Sequence, residues 1–517
     1  MTRLFQTVHQ VTGERAWPLH SVSQTQAHEK QLKAVLPAHT LMQRAGKATA
    51  QLALAIAPHA TKIWIACGPG NNGGDGLEAA IHLVQWGKQV TVTYLGQPDS
   101  APPDAKLSWQ RAIQVGVRFE ERPEPGFDLA IDALLGLGCA REPSGTMADW
   151  LQIMRTSSAP ILSIDLPTGL LPDTGEWLRS NNTLQANNQH HTLSLLTLKM
   201  GLFTAEGRDA TGQVWFDDLM QDVSSTLIKP PESFAQLQAQ HVHKTTHRAH
   251  NSHKGSYGDL MIIGGAPGMS GAAILAAIAG LHLGAGRVYL TLLDKSVQAA
   301  AAIQQPALMV RDLDALQLEN GCVVCGCGGS NAVRDLMPRV LSESQRLLLD
   351  ADALNAIAAD GRLMELLKNR AQNQKATVIT PHPLEAARLL GCSVREVQTN
   401  RIEAGMQLSV ITQSVVVLKG SGTVICSTNT NPVINRSGNA LLATAGTGDV
   451  LAGVIGAKMA QGQQSFAAAC EGVLLHGAAA DAWALTGRSL DAAMLATSIQ
   501  SFANAVDDSC FSARLFS

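Results

Sequence analysis

The sequence has few aromatic residues, few charged residues and no block of basic residues. Aromatics make up 4% and charged residues 16% of its 517 positions. Without a basic block, electrostatic binding to nucleic acid or to an anionic membrane is not expected. The first ten residues, MTRLFQTVHQ, contain no apolar segment typical of a signal peptide. We therefore expect a cytoplasmic protein with neither a nucleic-acid nor a membrane partner.

Two further features favour a globular protein in a reducing compartment. The most apolar window, residues 271–293, is interrupted by His282, Arg287 and four glycines. It predicts a buried helix followed by a strand, because a membrane span needs a longer uninterrupted apolar run. The nine cysteines are an odd number scattered through apolar segments. That distribution favours reduced core residues over a disulfide framework.

The chain is too long for one ordinary domain, and its pattern indicates an α/β fold. Continuous apolar runs alternate with helical segments, as in strands that are buried on both faces of a parallel sheet. The fold class predicted is α/β with two doubly wound domains. Helices are predicted at 40–56 and across about 440–505. The predicted strands are 62–67, 89–95, 127–136, 161–167, 191–198, 259–265, 287–293, 322–328, 346–352, 376–382 and 414–426.

A polar stretch near the middle of the chain predicts the domain boundary. We expect a first domain at 1–225, a linker at 226–250 and a second domain at 251–517. Five histidines crowd this stretch, and a metal site or a solvated linker would explain them. The linker is favoured because no framework of cysteines or carboxylates accompanies them. The histidines are His241, His243, His247, His250 and His253.

The turn GPGNNGGDG follows the first predicted strand and leads into a helical pattern. In a doubly wound sheet such a turn binds ligands, because backbone N–H groups and the helix N-terminus attract phosphate. The motif matches neither G-x-G-x-x-G nor a Walker loop. A plain structural turn and a ligand site both fit it.

Polar side chains also follow two other predicted strands of the first half. Asp132 ends one strand, and Asp165 and Thr168 follow another. The carboxyl ends of parallel strands share one edge, so Asn72, Asp132 and Thr168 could offer oxygen ligands to one hard cation. Asp165 would remain available for proton transfer. The alternative is that each aspartate caps a helix or a turn.

Five motifs in order, LMQRAG, GPGNNGGDG, DALLGLG, DLPTG and LKMGLFTAEGRDATG, cover residues 10–220. They resemble the N-terminal domain of the NAD(P)H-hydrate repair enzymes, which epimerises R- and S-NADHX and NADPHX, cofactors hydrated at C6 of the nicotinamide. The resemblance implies Asp165 as acid/base and K+ held by Asn72, Asp132 and Thr168. The substrate contacts it implies are Asn71, Asn72, Gly73, Gly74, Asp75, Gly136, Leu137, Gly138, Cys139, Ala140, Arg141, Glu142 and Asp165.

The second half carries a different set of motifs. In AGTGDVLAG, Gly446 and Gly448 precede Asp449 and a helix, where N–H groups could stabilise a transferring phosphoryl group. Asp449 could accept a proton from an attacking hydroxyl. Lys419 opens a Gly-flanked hairpin turn that could hold a nucleotide. His382 lies between two prolines at a strand end, where a structural and a functional role fit equally.

Six motifs, KGSYGDLMIIGG, SGAAILAA, LLLDADALN, TPHPLEAARLL, LKGSGTVI and GTGDVLAG, span about residues 245–505. They resemble the ribokinase-like fold and, within it, the ADP- or ATP-dependent NAD(P)H-hydrate dehydratases. The resemblance implies that Asp449 activates the C6 hydroxyl of S-NAD(P)HX for phosphorylation by ADP with Mg2+. Loss of phosphate then restores NAD(P)H and leaves AMP. The implied hydrate contacts are Ala272, Gly328, His382 and Asp449. The implied nucleotide contacts are Lys419, Gly420, Ser421, Gly422, Thr423 and Gly448.

The sequence departs from the family pattern in both halves. Leu171 stands where the epimerases have an aspartate. The motif G-P-G-L-G reads GCGGS, with Cys327 for proline and Ser330 for the last glycine, and Leu441 replaces a glycine in NALLATAG. The changes in the second half fall in loops where glycine gives the backbone greater conformational freedom. Cys327, with Cys322 and Cys325, could bind a metal, but core packing is favoured.

The favoured hypothesis is a bifunctional repair enzyme, an isomerase joined to a lyase, which we expect to form a homo-oligomer. The alternative is a ribokinase-like small-molecule kinase fused to a non-catalytic first half that binds a ligand or RNA. Product analysis separates the two, because a kinase releases a stable phosphoester whereas a dehydratase releases phosphate and NAD(P)H.

Overall fold

A computed structural model describes residues 8–178, 189–220, 231–240 and 250–499. The chain divides into two compact units. One comprises Met1–Thr12 with Trp17–Ala235, and the other Gly13–Ala16 with Gln236–Ser517. The division falls inside the predicted linker.

The first unit is built on one mainly parallel sheet. Its strands are β1 (His9–Gln10), β2 (Trp17–His20), β3 (Lys62–Cys67), β4 (Gln89–Tyr94), β5 (Arg118–Phe119), β6 (Leu129–Ala133), β7 (Ile161–Ile164), β8 (His190–Leu195), β9 (Leu198–Lys199) and β10 (Gln213–Asp217). Its helices are α1 (Val22–Val35), α2 (Thr40–Ile56), α3 (Asn71–Gln85), α4 (Pro103–Val115), α5 (Thr146–Thr156) and α6 (Gly207–Ala210). The sheet order is β1-β10-β8-β7-β6-β3-β4-β5, and β1 alone runs antiparallel to its neighbour. Strand β2 pairs in parallel with β9.

Strand β3 shows why its sequence is apolar throughout. Ile63 and Ile65 pack into one buried cluster, while Trp64 and Ala66 pack into another on the opposite face. The chain order reverses at β3, with β4 on one side and β6 on the other. Helix α3 therefore begins at a topological switch point, the usual ligand position in such sheets.

The second unit also has a largely parallel sheet. Its strands are β11 (Ala235–Leu237), β12 (Asp259–Gly264), β13 (Arg287–Leu292), β14 (Met309–Val310), β15 (Cys322–Cys325), β16 (Arg346–Leu349), β17 (Ala376–Ile379), β18 (Val415–Leu418), β19 (Val424–Ser427) and β20 (Thr430–Ile434). Its helices are α7 (Ser270–His282), α8 (Gln298–Gln304), α9 (Met337–Glu343), α10 (Asp352–Ala359), α11 (Gly361–Gln372), α12 (Pro383–Leu390), α13 (Val394–Thr399), α14 (Arg401–Thr412), α15 (Thr447–Ala460) and α16 (Ser465–Ala484).

The strand order within this unit is β14-β13-β12-β15-β16-β17-β18-β19-β20-β11. Pairing is parallel from β14 to β18 and antiparallel at β18–β19 and β19–β20. Helices α7 and α15 pack closely, because a Cβ on Gly453 would lie 2.1 Å from the carbonyl oxygen of Ala276. Small residues thus let helix α15 pack directly against α7.

The α/β class and both doubly wound sheets are confirmed. Helix 40–56 forms with the predicted bounds, and every predicted strand forms at least in part. Window 271–293 is a helix followed by a strand, and no helix in the described ranges is both long and apolar enough to cross a bilayer. The predicted 414–426 strand is a hairpin, β18 and β19. The short strands β1, β2, β5, β10, β14 and β20 were not predicted.

The predicted linker, 226–250, contains strand β11, whose Gln236 and Leu237 pair with Val433 and Ile434. Three residues are too few to show a hydrophobic period, so the sequence did not predict this strand. Of the five histidines, those at 241, 243 and 247 lie outside the described residues. His253 caps a short helical turn, its Nδ1 accepting from the Gly255 N–H at 3.1 Å.

Candidate active sites

The first candidate site lies where β3, β6 and β7 end in the first unit. Helix α3 begins at Asn71, immediately after the turn that follows β3. A Cβ on Gly73 would lie 1.9 Å from the carbonyl oxygen of Gly68, so only glycine permits this tight first turn. The turn brings Asn72 to the sheet edge at which Asp132 and Asp165 also lie.

Asp132 and Thr168 are directly bonded. The Thr168 N–H donates to one Asp132 carboxylate oxygen at 2.9 Å, and its hydroxyl lies 2.7 Å from the other. Ser163 and the Leu134 N–H also donate to this carboxylate. Burial raises the pKa of Asp132, and the hydrogen bonds from Thr168 oppose that shift. The predicted pair is therefore brought together by the loop after β7.

Asp165 is held by a buried lysine that sequence reasoning did not assign. Its backbone has φ 65°, in the left-handed region, and its Oδ1 accepts from Lys199 Nζ and from the Leu195 N–H. Lys199 is fully buried and also donates to the Leu195 carbonyl at 2.7 Å. The signal was present in the LKMGLF motif, where a lysine interrupts an apolar run.

Asn72, Gly136 and Asp165 are neighbours. A Cβ placed on Gly136 would lie 3.2 Å from Asn72 Oδ1 and 3.5 Å from Asp165 Oδ2. The Asn72 Nδ2 atom is buried and makes no hydrogen bond within the described part of the chain. Asp165 thus has one oxygen tied to Lys199 and the other directed towards Asn72 and Gly136.

The remaining predicted substrate contacts differ in exposure. Burial, reinforced by the charge of Asp165, raises the pKa of Asp75 well above its ordinary value. Burial also raises the pKa of the Cys139 thiol, so this cysteine is not a nucleophile. Gly73, Gly74 and Gly136 are buried and Leu137 is half-buried. The exposed members are Asn71, Gly138, Ala140, Arg141 and Glu142.

The second candidate site lies at the carboxyl ends of β16 and β18, beside the start of α15. Lys419 Nζ donates to Asp350 Oδ1 at 2.7 Å, and the Thr380 hydroxyl donates to the same oxygen at 2.7 Å. A Cβ on Gly448 would lie 3.5 Å from Lys419 Nζ. Asp350 was not predicted as a site residue, although it ends a strand in DADALN as Asp132 does in the first half.

Asp449 occupies the first turn of α15. Burial and the charge of Asp350 raise its pKa to about 6, while the Cys327 thiol and Lys419 oppose that shift. The ligating atoms of Cys327, Asp350 and Asp449 lie within 4.8 Å of one another. Cys322 and Cys325 are core residues as predicted, whereas Cys327 is buried but borders the site.

The hairpin predicted to hold a nucleotide, called the nucleotide hairpin below, is the turn between β18 and β19. Gly420 and Gly422 have φ 141° and 62°, which side chains rarely adopt. Arg401, which sequence reasoning missed, is buried and donates to the carbonyls of Leu418 and Lys419 at 3.2 and 3.1 Å. Arg401 therefore stabilises the strand end at which the hairpin turn begins.

The structure places two of the predicted hydrate contacts together. A Cβ on Gly328, whose φ is 59°, would lie 2.9 Å from the Ala272 Cβ. His382 begins α12, and its Nδ1 accepts from the N–H groups of Leu384 and Glu385 at 3.1 and 3.2 Å. His382 therefore has a structural role as a helix cap, while 45% of its side chain stays exposed.

The family departures differ in their structural consequence. Ser330 has φ 47°, so this position does favour the glycine of the family pattern. Leu441 is not among the described residues with positive φ, and its side chain packs against the core. The backbone at Leu441 therefore does not require the glycine of the family pattern.

Comparisons with known proteins agree with this two-site arrangement. The model of the family described as YjeF-related protein N-terminus matches residues 38–201, and that of NAD(P)H-hydrate dehydratase matches residues 260–503. The bifunctional NAD(P)H-hydrate repair enzyme Nnr of Escherichia coli is 36% identical over 476 residues, covering 90% of this chain and 88% of the relative. The chain belongs to this family of bifunctional NAD(P)H-hydrate repair enzymes.

Proteins about half as long as this chain also match it. An ADP-dependent (S)-NAD(P)H-hydrate dehydratase of Neisseria meningitidis is 44% identical over 251 residues, 47% of this chain and 83% of the relative. A solved ADP/ATP-dependent NAD(P)H-hydrate dehydratase of Bacillus subtilis is 28% identical and covers 49% of this chain and 92% of that one, with a TM-score of 0.43. The dehydratase family model lies within the second α/β unit.

Proposed function

We propose that the second unit dehydrates S-NAD(P)HX with ADP, and that Asp449 is its general base. The observation that carries this is the carboxylate of Asp449 beside the Lys419–Asp350 pair at a helix start. A pKa near 6 suits a base at neutral pH, since the group is mostly ionised yet still basic enough to take a proton. Lys419 supplies positive charge where phosphoryl oxygens would lie.

The reaction proceeds in two steps. Asp449 accepts the proton of the C6 hydroxyl, whose oxygen bonds to the β-phosphorus of ADP as the bond to AMP breaks. The ring nitrogen then donates its electron pair, the C6–O bond breaks and phosphate leaves. Loss of a C5 proton restores the double bond of NAD(P)H. Ala272, Gly328 and His382 would contact the hydrate.

The hairpin at 419–423 and Gly448 would hold the nucleotide. Gly420 and Gly422 leave room for close backbone approach, and the N-terminus of α15 attracts phosphate. Mg2+ would accompany the phosphates and neutralise part of their charge. We assign it no protein ligand, because the ammonium of Lys419 already occupies one oxygen of Asp350.

We propose further that the first unit epimerises NAD(P)HX, with Asp165 as the acid/base. Its Oδ2 faces Asn72 and Gly136, while Lys199 fixes Oδ1. The turn at 71–75 and the loop at 136–142 would form the walls around the hydrated nicotinamide. A buried lysine–carboxylate pair holds the proton-transfer group in one orientation, as catalysis requires.

The residues at the edge of the first sheet fit a potassium ion. Asp132 and Thr168 offer carboxylate and hydroxyl oxygens, which suit hard cations. The buried Asn72 amide has one unpartnered atom, and the two orientations of an amide exchange its nitrogen and oxygen. With the oxygen at that position, Asn72 would complete the set. K+ would neutralise the buried charge of Asp132.

The deciding experiment adds ADP and Mg2+ to a mixture of R- and S-NADHX and follows the near-ultraviolet absorbance of NADH. Recovery of all NADH supports both activities, and recovery of the S fraction alone would refute the epimerase. A stable phosphoester in place of free phosphate would refute the dehydratase. The comparisons support the repair enzyme and not the kinase alternative. A parallel assay with ATP identifies the phosphoryl donor.

We further propose that the epimerase domain is 1–225 and the dehydratase domain 251–517, joined by 226–250. A cytoplasmic location, assembly into homo-oligomers and the absence of nucleic-acid and membrane partners stay predictions.

A further inference from the structure

The dehydratase site contains a thiol where the family pattern has a proline. Cys327 follows β15, and its side chain is fully buried. Its Sγ lies within 4.8 Å of carboxylate oxygens of Asp350 and Asp449. No step of the proposed reaction uses this side chain.

The backbone fixes where this thiol lies. The Gly265 N–H donates to the carbonyl oxygen of Cys327 at 2.9 Å, and the Ala266 N–H donates to that of Gly328 at 2.7 Å. These two bonds fasten the GCGGS loop to the end of β12. Two backbone hydrogen bonds therefore fix the position of this thiol beside Asp449.

The thiol of Cys327 is protonated at neutral pH. Burial and the charge of Asp449 raise the pKa of Cys327 well above its ordinary value, so the sulfur keeps its proton. Its Sγ lies within 4.8 Å of a carboxylate oxygen of Asp449, and a protonated thiol at that position favours the ionised carboxylate. Proline, the residue of the family pattern, has no side-chain donor.

We propose that Cys327 is a positioning residue of the dehydratase, whose hydrogen bond holds the Asp449 carboxylate ionised and oriented towards the C6 hydroxyl. The proposal rests on the proposed role of Asp449 as the base. It assigns to this chain a donor that a G-P-G-L-G loop cannot provide.

Other groups around Asp449 act in both directions. The charges of two neighbouring carboxylates favour its protonated form, while one ammonium favours its ionised form and is itself stabilised by a glutamate. A histidine of α16 bonds to the backbone of α15 and is neutral, because burial lowers its pKa to about 4. In that order, these groups are Asp350, Asp352, Lys419, Glu385 and His476.

The test is the pH profile of kcat/KM for dehydration of S-NADHX with ADP. For Cys327→Ala we expect the acid limb to move up by about one pH unit, because the lost donor no longer favours the ionised base. Cys327→Ser, which keeps a donor, should retain the limb of the unmodified protein. Cys325→Ala is the matched control, a fully buried thiol of the same loop region.

An unmoved limb in Cys327→Ala overturns the proposal, as does an equal shift in Cys325→Ala or in Cys327→Ser. If Cys327→Ala does not fold by circular dichroism, Cys327→Val fills the volume without a donor and is judged by the same criterion. Asp449→Asn separates the two claims. If it stays active, the role of Asp449 fails; if it is inactive while the Cys327→Ala limb is unmoved, only the role of Cys327 fails.

Discussion

Single residues of the dehydratase site carry charges that catalysis needs and that burial opposes. The pKa of Asp449 is about 6 because burial and Asp350 disfavour its ionised form. Since this folded-state pKa lies above the ordinary value, the native state loses stability as pH rises from about 4 through 6, by about 3 kcal/mol. Asp449→Asn should therefore abolish dehydration, spare epimerisation and raise Tm at pH 8. Thermal unfolding at pH 8 and near pH 4 tests this, because the difference in Tm should vanish at the lower pH.

The same pKa predicts the pH dependence of dehydration. Asp449 must be ionised to accept a proton, so kcat/KM should fall about tenfold per pH unit below pH 6. Stopped assays of phosphate release across pH 5–8 measure this. A profile that is flat through pH 5 would show that another group is the base. Epimerisation, measured on the same samples, is the control for general loss of structure.

In the first unit, the buried ion pair of Lys199 and Asp165 makes a testable prediction. Lys199→Met leaves Asp165 without its cationic partner, so we expect a loss of about 3 kcal/mol in the free energy of unfolding and of most epimerase activity. Lys199→Met combined with Asp165→Asn should recover much of the stability and none of the activity. Urea unfolding of both single variants and the double variant forms the cycle. Additive losses would show that the pair is not coupled.

At the scale of secondary-structure elements, the GCGGS loop contains one strained residue. Ser330 has φ 47°, which costs a residue with a side chain about 1 kcal/mol and costs glycine little. Ser330→Gly should relieve this strain, but the greater entropy of glycine in the unfolded chain offsets part of the gain. We therefore expect the free energy of unfolding to rise by about 0.5 kcal/mol. Denaturant titration measures it. Ser421→Gly, in the nucleotide hairpin but outside the left-handed region, is the control and should not stabilise.

Long buried strands and the Gly-rich turns were predictable because each leaves a local pattern. Strand β3 and helix α2 form with the predicted bounds. Lys199, Asp350 and Arg401 were missed because their roles come from partners far along the chain, Asp165, Lys419 and the 418–419 carbonyls. No spacing rule reveals a buried lysine or arginine whose partner lies 17 to 69 residues away. The short strands that were missed have two to five residues, too few to show a clear period.

At the scale of the whole molecule, the two candidate sites belong to separate compact units, each with its own sheet and core. Asp165 and Asp449 lie in different units, so each activity should be lost without the other. If the hydrate leaves one site and diffuses through solution to the other, two variants that each lack one activity should together perform the full conversion. The alternative, obligatory transfer within one molecule, makes the opposite prediction.

We therefore predict that an equimolar mixture of Asp165→Asn and Asp449→Asn restores all NADH from a mixture of R- and S-NADHX. Asp165→Asn alone should stop at the S fraction, because the R form is not a substrate of the dehydratase, and Asp449→Asn alone should restore none. A reaction with Asp165→Asn at doubled concentration corrects for spontaneous epimerisation and for dehydratase amount. If the mixture also stops at the S fraction while Asp449→Asn still interconverts R and S by chromatography, the hydrate must pass between sites of one molecule. If Asp449→Asn no longer epimerises, the two sites are not independent.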